Sequence, residues 1–224
     1  MKFSVPAIAE TIAELPHGCC VIDCGCFGWR LADACTAHDQ RLIGLDRVEP
    51  PGRPAGAEFA RMEGPLLDVP DDSGDLVVAS HVMEHLADPV SLFTELVRIT
   101  VPDGLLWVEA PSELSLLPPS SDDPTDHTFL SFWDDPTHIR PQTPGSLYRL
   151  ALTTQCQPLA IGRARTGDIP VVRMLARKPT DVRGRPDTTY VSLLGVPKGL
   201  EAAWRALWPS EVGEARIAEM HLSR

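Results

Sequence analysis

The sequence predicts an α/β fold, a doubly wound sheet that is mostly parallel and closed by an antiparallel pair at its C-terminal edge. Three observations lead there. Residues 19–22 are an uninterrupted apolar run that suits an inner parallel strand, and Asp23-Cys24-Gly25-Cys26-Phe27-Gly28 turns out of it on two glycines. Leu42-Ile43-Gly44-Leu45-Asp46 reads as a second strand ending in a carboxylate. Strand patterns recur near residues 58–62, 75–80 and 104–109, with a helical pattern over 89–100, the alternation a parallel sheet requires.

Residues 7–15 read as a short amphipathic helix ahead of the first strand, and 30–38 as the helix after the glycine turn. Residues 47–57 carry Pro50, Pro51, Pro54, Gly52 and Gly56, so a loop or single turn is expected where a helix would usually join two strands. Residues 112–143 are rich in Pro, Asp, Ser and His around Phe129, Phe132 and Trp133. That stretch is too long and too aromatic for a plain connector and is expected to form a lid or a substrate wall. Thr143-Pro144 then starts a helix, threonine as its cap and proline at its first position, running to about Thr154. Strands over 158–166 and 169–177 make the antiparallel edge pair. The expected organisation is one domain over residues 1–178 with the 112–143 segment inserted in it, then an extension over 179–224. Trp204, Leu207 and Trp208 of that extension need a surface to cover, either the core or a second subunit of a homodimer.

Bulk properties narrow the function. A chain of 224 residues, 43% apolar and 23% charged, can fill one core of an ordinary globular protein. The net charge of −11 argues against nucleic acid as a partner, because phosphate binding calls for a basic face. Arg163, Arg165, Arg173, Arg177, Lys178, Arg183 and Arg185 form a loose basic concentration that suits a small anionic substrate instead. No apolar run approaches the roughly 20 residues of a membrane span, and residues 1–6 lack a signal-peptide core, so a cytoplasmic location is expected. Cys19, Cys20, Cys24, Cys26, Cys35 and Cys156 show no paired C-x-x-C spacing and are expected to be buried as small apolar groups, without disulfides.

The glycine turn followed by Asp46, 23 positions beyond Asp23, is the arrangement by which doubly wound folds hold a nucleoside, the acid meeting ribose hydroxyls. Asp68-Val69-Pro70-Asp71-Asp72-Ser73-Gly74-Asp75 then leads through Leu76-Val77-Val78-Ala79-Ser80-His81-Val82-Met83-Glu84-His85-Leu86-Ala87-Asp88-Pro89 to Gly104-Leu105-Leu106-Trp107-Val108-Glu109. This order resembles class I S-adenosylmethionine-dependent methyltransferases, whose fold is Rossmann-like, in particular a branch with Glu-His and Asp-Pro after the fourth strand. The resemblance implies S-adenosylmethionine as cofactor. It implies that Asp23 and Gly25, with Gly28, line the methionine and ribose side, that Asp46 takes the ribose hydroxyls and Arg47 the adenine edge, that Asp68 faces the adenine amine, and that Ser80 and His81 stand beside the methionine. The turn departs from the pattern, since Phe27 and Trp29 fall on its later glycine positions. A bulky group there would crowd the methionine carboxylate, which makes a catalytically degenerate, partner-binding homologue the first alternative.

His81-Val82-Met83-Glu84-His85 spells an inverted zinc-protease motif, but it follows a strand instead of lying on a helix. Quinone-biosynthesis O-methyltransferases, which resemble this segment, hold a divalent ion on a Glu and Glu-His cluster; with His81 in place of the first glutamate, no metal is expected here. Phe132-Trp133-Asp134-Asp135-Pro136-Thr137-His138 resembles the segment after the fifth strand in glycan-modifying methyltransferases. His138 is the first candidate for the base that takes a hydroxyl proton, with His127 and His85 as the others; its competing role is to pin the loop with Asp135. The activity expected is methyl transfer from S-adenosylmethionine to an oxygen of a sugar-containing or small hydroxylated metabolite. An NAD-dependent oxidoreductase is the second alternative, suggested by the glycine turn and Asp46 but opposed by Glu84-His85. No Asn/Asp-Pro-Pro-aromatic tetrapeptide points to a nucleic-acid or protein acceptor.

Overall fold

The structure, a computed structural model, describes residues 5–117 and 131–180. Eight strands form one sheet in the order β4-β3-β2-β1-β5-β6-β8-β7. The inner five, β1 (Cys20–Cys24), β2 (Arg41–Asp46), β3 (Glu58–Glu63), β5 (Gly74–Ser80) and β6 (Thr100–Pro111), run parallel to one another. β7 (Gln157–Thr166) and β8 (Ile169–Arg177) add the expected antiparallel pair at one edge. From β1 the chain moves outward through β2 and β3, then returns to the other side of β1 as β5, so its direction of winding reverses between β1 and β5.

Alternation along the strands sorts the core into two layers. Ile22, Val77, Leu106 and Met174 face one cluster, covered by α3 (Pro89–Ile99) through Leu92, Phe93 and Leu96 and by α4 (Pro144–Thr153) through Leu147 and Leu150. Val21, Leu76, Val78 and Trp107 face the other, which takes in Ile12 of α1 (Ile8–Ala13) and Cys35 of α2 (Ala32–Ala37). Helices on both faces of a mostly parallel sheet confirm the doubly wound, Rossmann-like class. The caps explain where the two longer helices begin. Asp88 accepts from the Val90 and Ser91 amides ahead of Pro89, and Thr143 Oγ1 accepts from the Ser146 amide ahead of Pro144.

Two elements differ from the sequence expectation. Gly64 (φ 63°) reverses the chain after β3, and Leu66–Leu67 returns as β4, an antiparallel edge strand of two residues held by Arg98 hydrogen bonds to the Leu67 and Val69 carbonyls. A two-residue strand has no period to detect. β6 begins at Thr100 instead of Gly104, because Pro102 and Asp103 are absorbed as an irregularity inside the strand, with Asp103 at φ 63°, instead of ending it. The cysteines are free, and all but the half-buried Cys19 are buried, with burial raising the Cys35 and Cys156 thiols to about 11. No helix among the described residues is long and apolar enough to cross a membrane. The extension beyond residue 180, with Trp204, Leu207 and Trp208, lies outside the described residues.

Candidate active site

The parallel strands end level with one another. Cys24 is paired with Leu45 on one side and Ala79 on the other, and Ser80 with Glu109 beyond, so Asp23, Asp46, Ser80 and Glu109 come to one rim of the sheet. The reversal of winding lies between β1 and β5, and ligands of open α/β sheets bind in the crevice there. Gly25 leaves β1 at φ 81° with its amide on the Leu45 carbonyl at 2.8 Å, and a Cβ on it would stand 2.4 Å from Val82 Cγ2. Only glycine closes this turn against the segment that follows β5. Gly28 is left-handed too (φ 69°), yet its hypothetical Cβ has no atom within 4 Å, so the turn is open on that side.

Phe27 and Trp29 leave the turn in opposite directions. Phe27 is 79% exposed, whereas Trp29 is 5% exposed, edge-on to Phe59 at 6.4 Å and bonded through Nε1 to the Pro50 carbonyl at 3.2 Å. Trp29 fits because β2 carries Gly44 beneath it. A Cβ on Gly44 would lie 2.6 Å from the Trp29 ring and 2.7 Å from Cys26 Sγ. The bulk that departs from the glycine pattern is thus sunk into the core or turned to solvent. Asp23 is 2% exposed, and burial raises its carboxyl to about 6, with Arg30 opposing the shift and Asp46 adding to it. Asp46 Oδ1 accepts from the Arg47 amide at 2.7 Å.

Beyond the other side of the crevice the chain leaves β5 at His81, a non-glycine at φ 57°. Its amide donates to the Glu109 carbonyl at 2.9 Å, and its ring stands between two carboxylates, Nδ1 3.2 Å from Glu84 Oε1 and Nε2 3.2 Å from Glu109 Oε1. Burial works to lower the imidazole, but the two carboxylates prevail and push it up to about 9. Burial likewise works to raise Glu109, but His81, Arg173 and Thr166 hold it at about 2, with Arg173 Nε at 2.5 Å and Thr166 Oγ1 at 2.9 Å. Ser80 Oγ joins the same carboxylate at 3.4 Å.

Next to this network lies a cavity of about 260 Å³ lined by His81, Glu84, His85, Phe132, Asp135 and His138 among others. The 131–140 segment closes one side of it because Ile139 N donates to the Glu84 carbonyl at 2.7 Å and Arg140 reaches the Ala87 carbonyl at 3.2 Å. His138 is stacked on Phe132 at 4.5 Å and lies 4.9 Å from the His85 ring. His138 Nδ1 is 2.6 Å from the Phe132 carbonyl, which can only accept, so the proton sits on Nδ1. Thr137 gives its one hydroxyl proton to Asp135 Oδ1 at 2.6 Å and therefore accepts from His85 Nδ1 at 2.9 Å. In the neutral tautomer each imidazole therefore carries its proton on Nδ1 and presents Nε2 as an acceptor.

The structure brings His85 and His138 together, and Asp23, Gly25, Gly28, Asp46, Arg47, Ser80 and His81 to the carboxyl rim of the strands. Asp68 stands further out along the sheet, just past β4: its amide bonds to the carbonyl of Arg61 in β3, the register partner of Asp46, and its residue lines a separate cavity with Arg41, Glu58 and Ser73. The antiparallel return of β4 seats it on the outer side of β3. The lid expectation is also modified: Phe132, 2% exposed, lines the cavity, while Trp133 is 60% exposed. His127 and Phe129 lie outside the described residues. Sequence reasoning passed over Glu84, Glu109 and Arg173 as site residues. The available signal was a lone charge in two otherwise apolar strand cores, Trp107-Val108-Glu109-Ala110 and Val172-Arg173-Met174.

Fold and rim define a Rossmann-like domain built around a strand-end ligand crevice. Residues 22–108 match the methyltransferase-domain family. The chain is 33% identical over 113 residues to a protein of Mycolicibacterium smegmatis named a probable S-adenosylmethionine-dependent methyltransferase, a match covering 47% of this chain and 44% of that protein. It is 34% identical over 108 residues to an uncharacterized methyltransferase of Mycobacterium bovis, covering 43% and 41%. The match thus spans less than half the length of these curated relatives. The fold is shared with an S-adenosylmethionine-dependent methyltransferase of Mesorhizobium loti, at TM-score 0.58 and 19% identity over 76% of this chain and 95% of that one. It is shared equally, at TM-score 0.58 and 19% identity over 76% of each chain, with a Burkholderia thailandensis 1,6-didemethyltoxoflavin-N1-methyltransferase solved with bound 1,6-didemethyltoxoflavin and S-adenosylhomocysteine. Residues 22–108 are thus similar to a methyltransferase domain, and the surrounding fold is that of S-adenosylmethionine-dependent methyltransferases of known structure.

Proposed function

We propose that this protein transfers a methyl group from S-adenosylmethionine to a hydroxyl oxygen of a small or sugar-containing acceptor held in the His85–His138 cavity. The observation that carries this reading is the adjacency of two unlike sites along the strand ends: acids and an open glycine turn for a nucleoside, then a cavity lined by two imidazoles whose Nδ1 atoms are held by oxygens. The residues present suit the cofactor. Asp23 and Asp46 supply carboxylates for its ammonium and ribose hydroxyls, and the space beside Gly28 lets backbone approach it. The cofactor, when bound, supplies an electrophilic methyl on sulfur. The chain holds the acceptor oxygen in line with it, His138 Nε2 takes the hydroxyl proton as the O–CH3 bond forms and the S–CH3 bond breaks, and Phe132 excludes water. His85, sharing the cavity, is the second candidate for the base, and His127 the third.

The test is melting with and without S-adenosylhomocysteine. At a hundredfold excess over Kd it should stabilise by about 2.7 kcal/mol. Asp46→Ala should remove about half of that shift or more, since losing charge-assisted ribose hydrogen bonds weakens binding about tenfold or more. No shift with millimolar S-adenosylhomocysteine in the wild type overturns the proposal in favour of a degenerate, partner-binding homologue, and a shift with NAD alone would favour an oxidoreductase.

Affinity should also depend on pH through Asp23. An ammonium partner pairs only with the ionised carboxyl, which burial keeps protonated up to about pH 6 in the free protein. Titration calorimetry should therefore show binding about tenfold weaker at pH 5 than at pH 7, with proton release on binding near pH 6. Affinity that is flat across this range would remove Asp23 from the contact.

A further inference from the structure

Among the described residues nine large apolar side chains are exposed, and five of them fall in two short stretches beside the acceptor cavity: Leu114, Leu116 and Leu117, then Trp133 and Ile139. The other four are placed singly, Phe27 in the glycine turn, Val48 in the loop after β2, Leu66 in β4 and Val90 in α3. Single exposed apolar groups are ordinary on any globular protein, but a concentration of them at one place marks a surface that binds something.

The same two stretches build the cavity wall. Ser115 lies among the leucines in the turn Glu113–Leu116, and Ser131 and Phe132 come just before Trp133 in the turn Phe132–Asp134; all three line the cavity, and the two turns touch. Residues three apart eclipse in a 3-10 turn, so Leu114 and Leu117 share one face while the buried Ser115 takes another. Phe132 carries the apolar surface from inside to outside, since it lines the cavity and its ring meets the Trp133 ring edge-on at 4.9 Å. Ile139 directly follows His138, which lines the cavity too. The cavity holds about 260 Å³, below the roughly 300–1,000 Å³ of sites that enclose a whole drug-sized ligand. It takes a ring-sized head, and anything larger continues outward across these side chains.

We propose that the acceptor is amphipathic: its hydroxylated head occupies the His85–His138 cavity, and an aliphatic or prenyl tail lies along a collar of Leu114, Leu117, Trp133 and Ile139. The inference rests on the methyl-transfer reading for the head and adds the tail. Polar groups, the two imidazoles with Ser115 and Ser131, line the head site, and apolar groups line the way out. Charge argues against a membrane surface as the occupant. The collar region carries Glu113, Asp134 and Asp135 against Arg140 and Arg163, with Arg163 already paired to Glu113, whereas an anionic bilayer calls for an excess of Lys and Arg.

Calorimetric titration with n-alkyl glucosides from methyl to octyl, each below its micelle concentration and with the protein saturated by S-adenosylhomocysteine, reads the tail separately from the head. Affinity should rise about twofold per methylene, since the open collar buries about half of each, and octyl should bind about a hundredfold tighter than methyl. Leu117→Ser combined with Trp133→Ser should remove most of that gain and leave the affinity of the methyl compound unchanged, whereas Leu66→Ser on β4 should leave the gain in place. All three side chains are exposed, so the variants should fold, and melting temperature with S-adenosylhomocysteine affinity reports that they do. Affinity that does not rise with chain length, no binding by any member of the series, or a gain that survives the double variant overturns the proposal. Sedimentation showing a wild-type dimer that the double variant dissociates assigns the collar to a second copy of the chain and overturns it as well. In each of these cases retained S-adenosylhomocysteine binding leaves the methyltransferase reading standing. Wild-type protein that binds no S-adenosylhomocysteine overturns that reading, and with it the head site on which the tail depends.

Discussion

His138→Ala should lower turnover about a hundredfold or more while leaving S-adenosylhomocysteine affinity nearly unchanged, the usual scale for losing a positioned general base. His138 lines the acceptor cavity and is separated from the cofactor acids by the β5 end and its His81. The same substitution removes the Phe132 stack and the bond to the Phe132 carbonyl, so a loss of stability on the order of 1 kcal/mol accompanies it. The rate must therefore be read per folded molecule, well below the melting temperature. A base also leaves a mark that a loop pin does not: the acid limb of the kcat profile should disappear with the imidazole. Full turnover per folded molecule would reduce His138 to a pin and move the base to His85.

What the sequence made legible follows from how locally each feature is encoded. The glycine turn, the carboxylate ending β2 and the Thr143-Pro144 cap are each specified within a few residues, and all three stand where local rules put them. Gly44 inside an apolar strand was a readable sign of close approach, although not of what approaches; it is Trp29, which the family pattern alone would have left in the turn. Motif order placed Asp68 after β3 but could not show the two-residue edge strand that seats it on the outer side of β3, opposite Arg61. The histidine cluster could not be read from spacing. His85 and His138 meet because Ile139 N finds the Glu84 carbonyl across more than fifty residues, a contact with no local signature. The Glu109–Arg173 pair is equally non-local, a cross-strand partnership between β6 and β8.

That pair supports the second large effect. Glu109 has a side chain only 3% exposed, paired with Arg173 and His81 and hydrogen-bonded by the Thr166 hydroxyl. Arg173 also lies over the Trp107 ring, its guanidinium carbon 5.7 Å from the ring centre. Arg173→Met keeps much of the side-chain bulk but leaves the carboxylate with one cation fewer, which should cost about 3 kcal/mol of stability. Glu109→Leu together with Arg173→Met should recover part of that loss, since two apolar groups can replace a buried pair with little penalty. The site would still suffer, because His81 sits at φ 57° between Glu84 and Glu109 and would lose one of the two carboxylates that hold it. The pH dependence has two limbs of known sign. His81 is raised from 6.5 to about 9, so its contribution is complete below pH 6.5 and is lost as pH rises through 9. Glu109 is lowered from 4.5 to about 2, so its contribution is complete above pH 4.5 and is lost as pH falls through 2. Chemical unfolding of the wild type should accordingly show a plateau between about pH 4.5 and 6.5 from these groups, with stability declining on the alkaline side. His81→Asn should flatten that alkaline decline, and an unchanged slope in this variant would mean that the imidazole titrates as freely in the folded chain as in the unfolded one.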